Sequence, residues 1–347
     1  MKVVYFNLKG GNSFSVEYTG SIIKSFIPSE YTITEVQALA SQDIFIQILN
    51  DVNPDLIILN DFIINSAQAS LTYKISNSNV KIIYISYNWF NLREAQKVSG
   101  TLKNLIDSSD VIFNLNGKLP DIAISCEDKL ESFYYPTPPI FAITTSWINR
   151  PNMFCYVGNI VPHKIGVDFI SKIKSTNIII DCYGNRLDEI PYTPWSFRDI
   201  SMTDYYTTFD SANSNLIYKG VISQDQVPVI LNNYKYFIIP HDGFEIFNWT
   251  MLQAIFCGII PLVINDRSQT NFNYTWIDWA QGFYYGSNTS DEMINNLNLI
   301  AADNTDKTKI SEYISSSISK KYNYEVFKQR FIKVISDVLS NTYSKDS

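Results

Sequence analysis

Short apolar runs alternate with segments of helical periodicity from the first residue onward. "KVVYFN", "YTITEVQ", "DLIILND", "VKIIYISYN" and "DVIFNLN" read as strands. Between them, "VEYTGSIIKSF", "IFIQILNDV" and "LREAQKVSGTLKNLID" carry the helical spacing. Leu56–Leu59 and Ile82–Ile85 are continuously apolar, as expected of strands covered on both faces of a parallel sheet. A second series follows residue 152. "MFCYVGN", "NIIIDCYG", "NLIYKG", "YFIIPH" and "IIPLVIND" are predicted strands, and "GVDFISKIK", "QVPVILNNY" and "WTMLQAIFCG" predicted helices. Four prolines in "YYPTPPIFAITTSWINRPN" mark the join. The pattern predicts an α/β chain with two doubly wound domains facing a central cleft: residues 1–145, then 152–320, with 321–347 a C-terminal helix bracing the first domain.

With 347 residues, the chain is long enough for two cores. A formal charge of −7 argues against a general polyanion binder with a broad basic surface. No run of eighteen apolar residues occurs, so a cytoplasmic chain without a membrane span is expected. Cys126, Cys155, Cys182 and Cys257 are widely spaced and read as buried free thiols. With only His163 and His241, and no D-x-D triplet, neither a zinc site nor a carboxylate pair for a metal-bound diphosphate is expected.

In open parallel sheets, ligands bind beyond the C-terminal ends of the strands. After the first strand, "NLKGGNSF" offers Gly10 and Gly11, where backbone can approach a ligand closely, but not a G-x-G-x-x-G fingerprint. A plain glycine turn is the equal alternative. In the second series, "YVGNIVPHKIG" ends a strand at Gly158 and supplies Lys164, a cation suited to a leaving diphosphate, although a solvated lysine has the same local sequence. "HDGFEIFNWTMLQAIFCG" places Glu245 on a turn, with Phe247, Asn248 and Trp249 at a helix start whose N–H groups suit an anion. Gln253, eight residues after Glu245, faces the same side of the helix, where its amide can meet ribose hydroxyls.

These residues resemble the donor-binding signature of the GT-B glycosyltransferases. Glu245, Gln253 and "AIFCGIIP" are similar to the family's E-x7-E and A-x-x-C-G-x-x-P elements, and "VGNIVPHK" to its G-R-x-x-x-x-K element, Lys164 matching the diphosphate lysine. Asn159 stands where the family has Arg, and Gln253 where it has Glu, which removes a charge in each place. Within GT-B, the opening "MKVVYFN", "PDLIILND", "KIIYISYN", "IDCYGN" and "YKGVISQDQVP" resemble the DNA glucosyltransferases of T-even-type bacteriophages. The resemblance implies a metal-independent transferase, with no tightly bound cofactor. It would be a monomer moving glucose, or a pentose such as arabinose, from a UDP-sugar to 5-hydroxymethylcytosine or another 5-hydroxymethyl-pyrimidine in double-stranded phage DNA, inside the host cytoplasm.

The family's catalytic position falls near Asn88, and an amide is no general base. Asp61 and Glu17 are the nearest carboxylates for an inverting transfer. A retaining transfer, with the leaving diphosphate taking the proton and Asn88 and Tyr87 orienting the substrates, is the preferred expectation. Lys9, Arg93, Lys97, Lys103 and Lys118 would meet DNA phosphates, and Tyr87, Trp89 and Phe90 would stack on a base, with core packing of "YNWF" the equal alternative. Two alternatives stand beside this reading. One is a bacterial cell-envelope transferase acting on a glycan or lipid-linked acceptor; the other is a catalytically weak nucleotide-sugar or DNA-binding protein.

Overall fold

The structure is a computed structural model, and it describes residues 1–7, 14–37, 40–87, 100–115, 126–133, 136–162, 164–187, 200–240, 249–264, 285–287, 289–321 and 324–345. The chain divides into two compact units. Unit 1 comprises Met1–Pro136 and Tyr322–Ser347, and unit 2 comprises Thr137–Lys321.

Unit 1 is built on six parallel strands: β1 (Lys2–Asn7), β2 (Thr32–Gln37), β3 (Leu56–Asn60), β4 (Lys81–Ser86), β5 (Val111–Asn114) and β6 (Leu130–Ser132). Helices α1 (Phe14–Lys24), α2 (Gln42–Val52), α3 (Ile64–Ser76) and α4 (Thr101–Ser108) connect successive strands. The order is β2-β1-β3-β4-β5-β6, so the winding reverses between β1 and β3. The continuous apolar runs behave as their pattern predicts: every residue of β3 is buried, and so are Ile82–Ser86 of β4. Each of the six strands ends in an uncharged polar residue: Asn7, Gln37, Asn60, Ser86, Asn114 or Ser132. In β1, β3, β4 and β5 apolar side chains fill the strands up to the C-terminal edge, where hydrogen-bonding groups take over.

Unit 2 has a second sheet of six parallel strands: β7 (Asn152–Val157), β8 (Ile180–Tyr183), β9 (Leu216–Gly220), β10 (Tyr234–Ile239), β11 (Ile260–Ile264) and β12 (Tyr285–Ser287). Its helices are α5 (Val167–Ile173), α6 (Met202–Asp210), α7 (Val227–Leu231), α8 (Trp249–Phe256), α9 (Ser290–Ala302) and α10 (Thr308–Lys321). Renumbered from β7, the order β12-β11-β10-β7-β8-β9 is the dinucleotide-fold order 3-2-1-4-5-6 read from its far edge, and the winding reverses between β7 and β10. The sequence pattern passed over β6 and β12, whose three residues each carry no alternation to detect, and the helices α3, α6 and α9. Helices α6 and α9 have serine or threonine caps: Ser201 accepts from the Asp204 amide, and Thr289 from the Glu292 amide.

The last helix, α11 (Tyr324–Leu339), belongs to unit 1. Its Phe327 and Phe331 lie against Phe26 after α1 and Phe113 of β5, with ring centroids 5.0–6.4 Å apart. Arg330 of α11 pairs with Glu131 of β6, and the Tyr343 hydroxyl donates to the same carboxylate at 3.0 Å.

In unit 2, buried Arg150 ties three segments together. Its guanidinium donates to the carbonyls of Thr145 at 3.1 Å, Tyr234 at 2.8 Å and Cys257 at 2.5 Å. The last of these follows α8, so the cation also sits where the helix dipole is negative. Burial lowers the Arg150 pKa to about 10, and the charge persists at neutral pH. Arg150→Met strips the donors from two buried carbonyls, and thermal unfolding should show unit 2 destabilised by about 2–4 kcal/mol. The four cysteines are buried and unpaired, in line with the sequence reading.

Candidate functional site

Both winding reversals carry polar chemistry at their C-terminal edge. In unit 1 the reversal lies between β1 and β3, and Asn7 and Asn60 end those strands side by side. The Asn60 Nδ2 donates to Asn7 Oδ1 at 2.9 Å and to the Val16 carbonyl of α1 at 3.3 Å. Gly20 of α1 lies directly over the pair: a Cβ there would fall 2.1 Å from Asn60 Nδ2 and 2.4 Å from Asn7 Oδ1. A glycine is therefore required for the helix to sit on the strand ends.

Asp61 follows at once, in the left-handed region with φ 77°. An aspartate tolerates that conformation better than most residues, but it is uncommon outside glycine. The Asp61 amide continues the sheet by donating to the Ile85 carbonyl at 3.0 Å, and the carboxylate accepts the Phe62 amide at 2.8 Å. Loss of water around the carboxyl raises its pKa from 3.8 to about 6, the Phe62 amide opposing only in part. The Tyr84 phenol on β4 is pushed up in turn by its own burial and by the nearby Asp61 charge. Glu17 belongs to the first turn of α1, next to the Val16 carbonyl that Asn60 holds. The structure thus brings Glu17 and Asp61, the two carboxylates singled out from the sequence, to the same end of the sheet.

Tyr87 takes the packed place and not the stacking one. It is buried, and its hydroxyl donates to Asn60 Oδ1 at 2.5 Å, so the ring is part of the packed strand-end layer and offers no face on which a base could stack. Lys103 of α4 pairs with Asp107 one turn on. Asn88, Gly10 and Gly11 lie outside the described residues, as do Lys9, Trp89, Phe90, Arg93, Lys97 and Lys118.

In unit 2 three neighbouring strands run out into glycine: Gly158 after β7, Gly184 after β8, and Gly220 closing β9. The Gly158 amide donates to the Tyr183 carbonyl and the Gly184 amide to the Gly220 carbonyl, both at 2.9 Å. Gly184 has φ 145°, and a Cβ on it would lie 1.7 Å from the Gly158 carbonyl oxygen. Backbone meets backbone in this glycine shelf, with the Tyr218 hydroxyl donating to the Gly184 carbonyl at 3.0 Å and the Tyr156 hydroxyl beside Gly158.

The segment from Gly158 to Gly166 leads from this shelf to α5 and is pinned along its length by three tyrosine hydroxyls. Tyr156 donates to the Asn159 carbonyl at 2.8 Å, Tyr206 to Ile160 at 3.0 Å and Tyr205 to Ile165 at 3.0 Å. The Gly166 amide then donates to the Pro240 carbonyl at 3.1 Å, which ties the segment to the end of β10, across the winding reversal. Lys164 is half-buried on this pinned segment, so the structure places it at the reversal point. The tyrosines were absent from the sequence reading, because nothing in "DYYTTFD" shows that two hydroxyls cross to a distant loop.

Trp249 opens α8 and Gln253 lies one turn in, both buried. Gln253 is 1% exposed, and its Nε2 has no hydrogen-bond partner among the described residues. A buried amide left in that state is a donor awaiting an acceptor. Glu245, Phe247 and Asn248 lie outside the described residues. Among the described residues no His, Cys, Asp and Glu cluster suits a metal ion, and no helix is long and apolar enough to cross a membrane.

No protein-family model matches the chain, and no curated protein matches it. Solved structures do. HepE of Anabaena, in complex with UDP and glucose, superposes with a TM-score of 0.71 at 11% identity, covering 97% of this chain and 99% of that one. Sucrose-phosphate synthase of Thermosynechococcus elongatus gives 0.68 at 10% identity over 98% and 100%. The catalytic domain of starch synthase IV from Arabidopsis thaliana, bound to ADP and acarbose, gives 0.53 at 11% identity over 96% and 99%. Such identities speak for the fold: two Rossmann-like units on parallel sheets, the GT-B architecture of glycosyltransferases.

Proposed function

We propose that the chain is a glycosyltransferase that binds a UDP-sugar on unit 2 and passes the sugar to a hydroxyl acceptor served by Asp61 of unit 1. The observation that carries this reading is the buried donor amide of Gln253, together with the glycine shelf and the Lys164 segment at the winding reversal of unit 2. A glycine backbone flanked by tyrosine hydroxyls admits a diphosphate closely, a lysine neutralises it, and an amide donor meets a ribose oxygen. HepE, similar in fold, was solved with UDP-glucose as well as with UDP. The diphosphate charge falls to protein cations and backbone donors, in keeping with a sequence that lacks a D-x-D triplet.

Lys164→Ala should weaken UDP binding by about tenfold, the value of one charge-assisted contact to phosphate. Isothermal titration with UDP measures it; unchanged affinity would remove Lys164 from the donor site.

On unit 1, Asp61 has what a base needs: a carboxyl with its pKa near neutrality, held at the winding reversal. With Asp61 accepting the acceptor's proton, the acceptor oxygen bonds to the anomeric carbon on the face opposite the departing UDP, whose bond to the sugar breaks, and the anomeric centre inverts. The retaining route favoured by the sequence is the competing outcome, and proton NMR of the product's anomeric coupling separates them.

For the acceptor, the phage-type resemblance supports 5-hydroxymethyl-pyrimidine in DNA, with glucose or arabinose as the sugar. A glycan or lipid-linked acceptor is supported by the burial of Tyr87, the ion pair of Lys103 and the net charge of −7, none of which helps a DNA surface. Mass spectrometry of nucleosides from hydroxymethylcytosine DNA, incubated with a panel of UDP-sugars, decides. A gain of one sugar establishes DNA; UDP release without any gain assigns the acceptor to the glycan class. A donor neither transferred nor hydrolysed would reduce the chain to a binding protein.

A further inference from the structure

The amides at the end of β1 and β3 belong to a longer chain of hydrogen bonds with a fixed direction. Tyr87 Oη donates to Asn60 Oδ1 at 2.5 Å, Asn60 Nδ2 to Asn7 Oδ1 at 2.9 Å, and Asn7 Nδ2 to Glu35 Oε1 at 3.0 Å; the other Glu35 oxygen pairs with Lys24. Four elements and the residue after β4 are joined by it.

We propose that Glu35, Asn7 and Asn60 form a one-way strut that fixes the end of β3, with Asn60 as the positioning residue for the Asp61 carboxylate. The proposal rests on the reading of Asp61 as the base. The direction follows from the chemistry of the ends. A glutamate carboxylate paired with Lys24 only accepts, so Asn7 must present its NH2 to Glu35 and its carbonyl to Asn60. Asn60 must then present its NH2 to Asn7 and its carbonyl to Tyr87. Turning the Asn60 amide over would set its oxygen against the oxygens of Asn7 and Val16; turning Asn7 as well would set an oxygen against the Glu35 carboxylate. A charge near the surface thereby dictates the orientation of an amide two residues away in the chain of bonds.

The surroundings allow no other packing. Asn7 is 0% and Asn60 1% exposed, and α1 lies on both through Gly20. Buried amides in a fully bonded chain are rigid, since each alternative leaves a desolvated polar atom unpaired. That rigidity reaches Asp61 through one peptide bond. Its φ of 77° is held on the β4 side by the bond to the Ile85 carbonyl, and on the β1 side by the pairing of Leu59 with Phe6 and by the strut acting through Asn60. Uncommon backbone conformations persist where the surroundings determine them more than once, and the strut is a further determinant.

Two variants and two readouts test this. Turnover is read as UDP released from UDP-glucose, and the strand end by hydrogen–deuterium exchange of peptides spanning residues 57–63 in the ligand-free protein. Asn60→Ala should lower kcat by about 10–100-fold with the KM for UDP-glucose within about twofold, because a misplaced group costs rate and leaves donor binding on unit 2 intact. Exchange at 57–63 should accelerate. Glu35→Gln keeps the shape but lets the amides reverse, and should move both readouts the same way by a smaller factor. If Asn60→Ala does not fold, Glu35→Gln decides alone. Folded variants with natural kcat and natural exchange at 57–63 would overturn the strut. Accelerated exchange in Asn60→Ala, alongside full turnover by Asp61→Asn, would keep the strut as the holder of Asp61 and remove Asp61 as the base.

Discussion

Asp61→Asn should release UDP from UDP-glucose at least about 100-fold more slowly than the natural chain, with the donor KM unchanged, since a base acting only in the transition state contributes about 10²–10⁴ in rate. Asparagine suits the site in every other respect. It tolerates positive φ, and its Oδ1 can still accept the Phe62 amide. The loss of rate therefore reports the proton and nothing else. In the natural protein the rate should fall with acid through pH about 6, as Asp61 is protonated.

The same substitution should stabilise the fold at neutral pH. Burial raises the Asp61 pKa from 3.8 to about 6, so the folded state holds the proton more tightly than the unfolded chain. Below about pH 4 both states are protonated and no penalty exists; above about 6 the ionised carboxylate destabilises the fold in full. A rise of that size corresponds to about 3 kcal/mol, and the partial exposure of Asp61 reduces it to about 1–2 kcal/mol. Denaturant melts at pH 8 and pH 4 should show Asp61→Asn more stable at the first and equal at the second. Equal stability at both would mean that the carboxylate is solvated and unfit as a base near neutrality.

The second large effect is expected of Gly184→Ala. Its Cβ would meet the Gly158 carbonyl oxygen at 1.7 Å, and φ 145° is a conformation that L-residues avoid. A backbone carbonyl has no rotamer by which to move aside, so β7 and β8 must part. Positive φ costs about 1–2 kcal/mol and overpacking about 1–3 kcal/mol, so unit 2 should lose about 2–5 kcal/mol. Where the variant still folds, UDP affinity should drop, because the shelf opens toward the Gly158–Gly166 segment that carries Lys164. A variant with natural stability and UDP affinity would show the glycine shelf to be irrelevant to the donor.

Much of this fold was legible in the sequence because buried parallel strands are apolar throughout. Leu56–Leu59 and Ile82–Ile85 could hardly be anything else. The glycines ending "YVG", "CYG" and "YKG" were also visible, but their side-by-side placement depends on strand order, which no local pattern contains. The same holds for Asp61: the letters "LND" show a carboxylate after a strand, while its desolvation depends on the fold around it. Tyr87 shows a local ambiguity. The aromatics of "YNWF" suit base stacking and core packing alike, and the partner Asn60, 27 residues earlier, commits Tyr87 to the interior.

The last helix completes the sheet unit that begins the chain. Phe26 and Phe113 are 3% and 0% exposed, and Phe327 and Phe331 are among the rings that cover them. During synthesis, unit 2 is fully made before α11 emerges, so unit 1 spends the time needed to add some two hundred residues with an aromatic face uncovered. Its folding waits for a segment made after all of unit 2. A chain cut short after residue 321 would carry all of unit 2 and a first unit with exposed phenylalanines, a form fit for aggregation and for degradation.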